Sequence, residues 1–96
     1  MTSAEMRSYR KQQLNNRLAE KYRSVIIHDK PYFLNKNGTL FRLDSMGGNY
    51  NCLLIEYADS LQEALLYRFE DGDLFYMDDM TEDEMFEAMV REIENG

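Results

Sequence analysis

The sequence predicts one α+β domain. Its elements are an N-terminal helix, a small antiparallel sheet of three to four strands, a short helix and a C-terminal amphipathic acidic helix. Three observations support this class: apolar residues recur at helical spacing near both ends, short β-branched and aromatic runs occupy the middle, and turn residues separate those runs. With 96 residues, the chain has the length of one compact domain, residues 1–96.

The first helix is predicted over residues 3–23, where no Gly or Pro interrupts the chain. Thr2 with Glu5 fits a capping box at its start. Its apolar stripe consists of Leu14, Leu18, Tyr22 and Val25. Three bases occupy the same azimuth upstream, Arg7, Arg10 and Lys11. We therefore expect residues 1–12 to be frayed, to project from the domain, or to become ordered only with a partner.

The sheet is predicted from four runs, at residues 24–28, 32–34, 39–43 and 50–57. Asn37-Gly38 lies between the second and third runs and supplies the positive φ angles that a tight hairpin turn requires. The fourth run is apolar on both alternations, which predicts a central strand covered on both faces.

Residues 60–69 fit two structures. Ser60 with Glu63 forms a second capping box, and Leu61, Ala64 and Leu65 keep helical spacing, which favours a short helix. The alternative is a hairpin, in which residues 66–69 pair with residues 74–76 across Asp71-Gly72-Asp73.

The C-terminal helix has a complete set of start signals. Thr81 and Glu84 make a third capping box, and Met80 with Met85 occupies the positions of a hydrophobic staple. The predicted inward stripe is Met85, Phe86, Met89 and Ile93.

Charge is segregated along the chain, which has a net charge of −7. Residues 1–23 hold six bases and two acids, whereas residues 70–96 hold eleven acids and one base. Such asymmetry predicts either internal complementarity or a charged partner.

Catalytic chemistry is not expected. His28, the only histidine, lies at a predicted strand end, where Asp29 would point to the opposite face. Cys52, the only cysteine, lies in the most apolar run and is expected to behave as a small buried hydrophobe. The acidic turn around Gly72 fails the calcium-loop pattern, because Tyr67 and Phe69 would stand at ligand positions.

We therefore predict a protein that is not an enzyme and needs no cofactor or metal. One minor alternative is a small metal-dependent enzyme that uses carboxylates between Asp71 and Asp79. The absence of a long apolar run and of a signal-peptide core predicts a cytoplasmic location and no membrane partner.

The acidic segment, residues 70–87, is the most unusual feature. It holds nine acids and no base, interleaved with apolar residues that could anchor the carboxylates in a fixed array. The candidate partner-binding residues are Glu70, Asp71, Asp73, Asp78, Asp79, Glu82, Asp83, Glu87 and Tyr76. An acidic face that only keeps a small protein soluble is the ordinary alternative.

The leading hypothesis is a small acidic protein-binding module that blocks a basic, nucleic-acid-binding surface of a partner protein. Its sharpest form is a nucleic-acid mimic, and the composition is similar to that of small acidic proteins of phages and mobile elements. Direct binding of nucleic acid is not expected, because the acidic domain would repel phosphates. The alternatives are an immunity protein or antitoxin for a basic nuclease, and a homodimeric adaptor joined through the Leu14/Leu18 face.

Overall fold

The computed structural model describes residues 3–45, 52–66, 71–76 and 79–95. Its elements are α1 (Ser3–Lys21), β1 (Arg23–Ile27), β2 (Lys30–Leu34), β3 (Leu40–Ser45), β4 (Cys52–Ala58), α2 (Leu61–Leu65), β5 (Asp71–Tyr76) and α3 (Glu82–Asn95). The strands form one antiparallel sheet in the order β1-β2-β3-β4-β5. The α+β class is confirmed, with five strands where three to four are predicted.

The additional strand is β5. It pairs with β4 along its whole length, from Cys52 opposite Tyr76 to Tyr57 opposite Asp71. From the sequence, residues 74–76 were predicted to form a strand only in the hairpin alternative. Asp71, Gly72 and Asp73 have low strand propensity. Pairing with a long apolar neighbour outweighs that propensity. The short helix is nevertheless present as α2, so a helix and a strand follow each other here.

The β1–β2 connection is a two-residue turn formed by His28 and Asp29. Both have positive φ angles, 51° and 63°, the pattern of a type I′ hairpin turn. The sequence prediction placed His28 at a strand end with Asp29 on the opposite face; this is wrong, because both residues form the turn and β2 begins at Lys30.

The β2–β3 turn is organised by a side chain that the sequence did not single out. Gly38 has the expected positive φ, 82°, but Asn35 holds the loop. Its Oδ1 accepts hydrogen bonds from the N–H groups of Asn37 and Thr39 at 2.9 and 3.0 Å. Its Nδ2 donates to the carbonyl of Ile93 at 2.9 Å, which ties the turn to the last turn of α3.

Two helices cover one face of the sheet. Leu14 and Leu18 of α1 and the inward stripe of α3 pack there against strand residues. The fully buried members from the helices are Leu14, Leu18, Met85, Met89 and Ile93. Alternate residues along the strands supply the other side of this core, including Phe33, Phe41, Leu53, Ile55 and Phe75.

A smaller cluster lies on the other face, under α2. It comprises Ile27, Tyr32, Leu40, Ala58 and Ala64. The predicted Ser60 cap is confirmed, since the Ser60 hydroxyl accepts from the Glu63 N–H at 3.2 Å. Cover on this face is partial. Ala58 at the end of β4 is buried, whereas Leu54 and Glu56 are only partly so, and the prediction of two covered faces holds only at that end.

The structure gives the Leu14/Leu18 stripe an intramolecular partner. Both side chains have 0% exposure in the core beneath the sheet, so this face is not open to a second copy. A dimer through these residues would require both side chains to leave this core. Helix α1 is continuous from Ser3, and Met6 and Tyr9 are exposed on it. Fraying of residues 1–12 stays a prediction, and the Thr2 cap lies outside the described residues.

Asn35→Ala is expected to lower the free energy of unfolding by about 2–3 kcal/mol, because it removes three hydrogen bonds and leaves a buried carbonyl without its donor. Urea unfolding measures the change. Lys36→Ala, at an exposed position of the same turn, is the matched control and should stay within about 0.5 kcal/mol. Equal losses in the two variants would contradict the role given to Asn35.

Leu14→Asp is expected to unfold the chain or lower its stability by several kcal/mol, because a carboxylate would enter a fully buried site. Leu61→Asp, at a site that is 56% exposed, is the control and should leave the fold intact. Circular dichroism measures whether each variant is folded, and light scattering measures whether it is a monomer or a dimer. If the wild type were a dimer and Leu14→Asp a folded monomer, Leu14 would belong to a dimer interface, which would contradict its place in the core.

Candidate functional site: the acidic face of α3

Helix α3 is fixed on the sheet by one fully buried side. Met85, Met89 and Ile93 have 0% exposure, spaced so that they share one face of the helix. Its start is held by the predicted capping box: the Glu84 carboxylate accepts from the Thr81 N–H at 3.1 Å, and the Thr81 hydroxyl accepts from the Glu84 N–H at 3.2 Å. The outward side is consequently held in one orientation.

The outward side of the first two turns is acidic. Asp83, Glu84 and Glu87 are exposed, and Asp79 is exposed just before the helix. Residues three and four apart on a helix lie about 5–6 Å apart at Cβ, so Glu87 is a neighbour of both Asp83 and Glu84. We define these four residues together with Glu82 as the acidic face.

One base from α1 enters the acidic face. Arg17 Nη1 lies 3.2 Å from Glu82 Oε2 and 2.9 Å from Asp83 Oδ1. Its guanidinium also lies 4.1 Å from the ring centroid of Phe86, where a cation–π contact forms. The opposite charges of the two terminal helices are thus partly complementary within the chain. Sequence reasoning did not select Arg17, although the net positive charge of residues 1–23 was the signal for it.

The other end of α3 is joined by a hydrogen bond to the residue that follows α1. The Tyr22 hydroxyl donates to Glu94 Oε1 at 2.7 Å. Burial of the phenol, with the hydrogen bond to Glu94 and the charge of that carboxylate, raises the pKa of Tyr22 well above its ordinary value of 10.0. Glu94 is therefore engaged within the fold.

The predicted partner-binding residues fall into three groups. Asp79, Glu82, Asp83 and Glu87 belong to the acidic face. Asp71, Asp73 and Tyr76 are in the edge strand β5, and the side chains of both aspartates are outside the described set. Glu70 and Asp78 lie outside the described residues.

Tyr76 does not share a side of the sheet with the acidic face. Phe75 packs in the core under α1 and α3, so its neighbour Tyr76 projects from the opposite side, where it is 50% exposed. Tyr76 therefore lies on the other side of the sheet from the α3 carboxylates, and its role in partner binding stays a prediction. The described array consists of carboxylates on and just before α3.

The remaining candidate chemistry is sparse in the described part of the chain. His28 Nε2 lies 2.9 Å from the carbonyl oxygen of Leu65, a contact that joins the β1–β2 turn to α2. The Cys52 side chain is outside the described set. Over residues 3–45, 52–66, 71–76 and 79–95, no three His, Cys, Asp or Glu residues are grouped so that they could hold a metal ion.

Comparison with known proteins adds no further assignment: no family model, curated protein or solved structure matches the chain. Among the helices in the described ranges, none combines the length and the apolar character needed to span a membrane.

Stability should fall as the pH rises above about 10, because the unfolded state then releases the Tyr22 proton while the folded state, with its raised pKa, retains it. Urea unfolding between pH 8 and 11 measures this slope. Tyr22→Phe should flatten it, whereas Tyr9→Phe, at an exposed position, should leave it unchanged. Equal slopes in all three proteins would show that Tyr22 is not the group responsible.

Proposed function

We propose that this protein is a non-enzymatic binding module whose acidic face docks on a basic surface of another protein and blocks it. The observation that supports this most is the contrast between the two sides of α3. One side is fully buried at Met85, Met89 and Ile93, while the other exposes Asp83, Glu84 and Glu87. Carboxylates on a packed helix are positioned before binding, which reduces the entropy lost on association.

The charge balance of the acidic face favours a cationic partner. Five carboxylates and the guanidinium of Arg17 leave an excess of four negative charges there. An anionic surface accelerates encounter with a cationic one and repels nucleic acid. We therefore expect the partner to be a protein rather than DNA or RNA.

The sharpest form of the proposal is mimicry of nucleic acid. Side chains at i and i+4 on a helix are about 6 Å apart, comparable in scale with the charge spacing along nucleic-acid backbones. A basic groove built for phosphates would meet a similar array of charges on α3. An inhibitor of phage or mobile-element type, acting in the cytoplasm on a nucleic-acid enzyme, would use this geometry.

An immunity protein or antitoxin is the second candidate, because neutralising one basic nuclease requires the same acidic surface. An antitoxin and a nucleic-acid mimic differ in the contacts that they make besides charge pairs. A dedicated antitoxin is expected to add apolar contacts and so to keep its partner in high salt, whereas a mimic depends mainly on charge.

The proposal is tested with the triple variant Asp79→Asn, Asp83→Asn and Glu87→Gln. Wild type and variant are used to capture proteins from a host-cell lysate, and bound proteins are identified at low and high salt, with and without added DNA or RNA. We expect wild type to capture a nucleic-acid-binding protein that added nucleic acid displaces. The variant should bind it about tenfold or more weakly.

The matched control makes the same change in net charge at exposed sites outside the acidic face, with Glu5→Gln, Glu20→Gln and Asp59→Asn. It should retain the wild-type affinity. An equal loss of affinity in the two triple variants would show that binding depends on the net charge of the protein and not on where the carboxylates lie. Undiminished binding by the α3 variant would eliminate the acidic face as the binding surface.

A further inference from the structure

Strand β1 is an open edge of the sheet. Among the described strands it pairs only with β2, and its central residues, 24–26, include none of the charges or prolines that usually guard an edge. Ile26 is 69% exposed, more than any other large apolar side chain in the described ranges. The opposite edge, β5, begins with Asp71, Gly72 and Asp73, which disfavour strand pairing. Of the two edges, β1 is therefore the one suited to pair with another strand.

The hairpin geometry shows which backbone groups of β1 point outward. A two-residue turn closes with a hydrogen-bonded pair, here Ile27 with Lys30, and the two kinds of pair then alternate along the strands. Ile26 with Pro31 is consequently a non-hydrogen-bonded pair, which fits a proline because its missing N–H would point away from β1. The same alternation applies at Ser24. The N–H and C=O groups of Ser24 and Ile26 therefore face away from the sheet.

A second β1 strand fits these four outward groups. In an antiparallel pair centred on Val25, Ser24 of each copy lies opposite Ile26 of the other, which forms four N–H···O=C bonds. The same register pairs β1 over its whole length, because Arg23 then lies opposite Ile27. Val25 meets its own counterpart at the two-fold axis, on the side of the sheet where it already packs against the cluster that contains Ile27.

Charge at the two ends of β1 favours the antiparallel arrangement. Arg23 begins the strand and Asp29 lies in the turn after it, and both are exposed. Neither side chain forms an ion pair with a residue in the described ranges. In the antiparallel register, Arg23 lies opposite Ile27 of the second copy and two positions from that copy's Asp29, which a long side chain reaches. A parallel pairing in register would instead place the two Arg23 side chains next to each other.

Apolar surface beside the edge adds to this interface. The end of α2 lies against the β1–β2 turn, where His28 Nε2 is 2.9 Å from the carbonyl oxygen of Leu65. Leu65 and Leu66 are 49% and 56% exposed. Together with Ile26 they provide apolar area close to the outward backbone groups. An interface needs this area, because hydrogen bonds that replace hydrogen bonds to water stabilise it only modestly.

We propose that β1 pairs antiparallel with β1 of a second copy of this chain, so that two five-stranded sheets join into one sheet of ten strands around a two-fold axis. The occupant of the edge is a second copy because the outward groups, the exposed Ile26 and the opposite charges at the two ends of β1 are all complementary to themselves under that rotation. The pairing includes no residue of the acidic face of α3, so each copy keeps its own acidic face.

Sedimentation equilibrium of the full chain measures the association, at about 0.15 M salt to screen the repulsion between two net-negative chains. Because an interface of this size is weak, the mean mass should rise from that of one chain toward that of two between about 10 µM and about 1 mM protein. It should stop at two, since a two-fold pairing leaves no β1 edge open.

Amide hydrogen exchange at the two ends of this concentration range identifies the paired strand. The N–H groups of Ser24 and Ile26 should exchange about tenfold or more slowly at the high concentration, because only the dimer gives them acceptors. The N–H groups of Val25 and Ile27 already bond to β2 and should change far less.

Two variants at Ile26 separate loss of pairing from loss of fold. Ile26→Pro removes an outward N–H but no hydrogen bond within the sheet, so it should be folded by circular dichroism and remain monomeric. Ile26→Lys should weaken association about tenfold or more, because the two lysines would be diagonal neighbours on one side of the joined sheet. Leu74→Lys, at a 44% exposed site in β5, is the control and should change association less than about twofold.

A charge reversal tests the orientation. Arg23→Glu should weaken association about fivefold or more, because a carboxylate would then approach Asp29 of the second copy. Lys36→Glu makes the same change in net charge at an exposed site of the β2–β3 turn and should change association less than about twofold. A chain that stays monomeric at about 1 mM, a mean mass that rises beyond two chains, or equal association by wild type and Ile26→Pro would overturn the proposal.

Discussion

The packing of α1 and α3 side by side on one face of the sheet is the constraint on which the rest of the structure depends. Leu14 and Leu18 from the first helix meet Met89 and Ile93 from the last in one buried core. Side chains from both ends of the sequence are therefore buried in the same core. Burial of apolar side chains is the main favourable term in folding. Because α3 gives one whole side to this core, its carboxylates have only the other side to occupy.

Charge then refines the arrangement that packing imposes. Arg17 lies at the boundary of the two helices, where it contacts Glu82, Asp83 and the ring of Phe86. Partly exposed ion pairs of this kind contribute only about 0–1 kcal/mol each, so they orient the helices more than they stabilise them. The basic N-terminal segment thus neutralises part of the acidic face and leaves the remainder available to a partner. Internal complementarity and an external charged partner are compatible here.

Local signals in the sequence predicted local structure well. The Ser60 cap and the Thr81 capping box are present because each needs only a short side chain and backbone groups three residues away. Three features depend on contacts between distant segments, and the sequence did not specify them. Asn35 reaches Ile93 across the fold, β5 is stabilised by pairing with β4, and Arg17 meets α3 only after both helices have packed.

The positions of the predicted site residues show the same division between local and distant contacts. Helical periodicity predicted a buried stripe that includes Met85, Met89 and Ile93, and the structure confirms their burial. Asp83 and Glu87 are exposed on the same helix. Tyr76 was also predicted as a partner-binding residue, and strand alternation directs it to the other side of the sheet. The sequence showed that Leu14 and Leu18 form an apolar stripe. Only the three-dimensional structure shows that this stripe packs against the sheet.

The central claim is that the acidic face is preformed on a packed helix in the free protein. Native-state amide hydrogen exchange tests this directly. We predict that the amides of Met89 and Ile93 exchange about as slowly as those of Phe41 and Ile55 in the central strands, because all four belong to one core. Rapid exchange throughout α3 with a protected sheet would contradict the account, since the carboxylates would then lie on a segment that is ordered only upon binding.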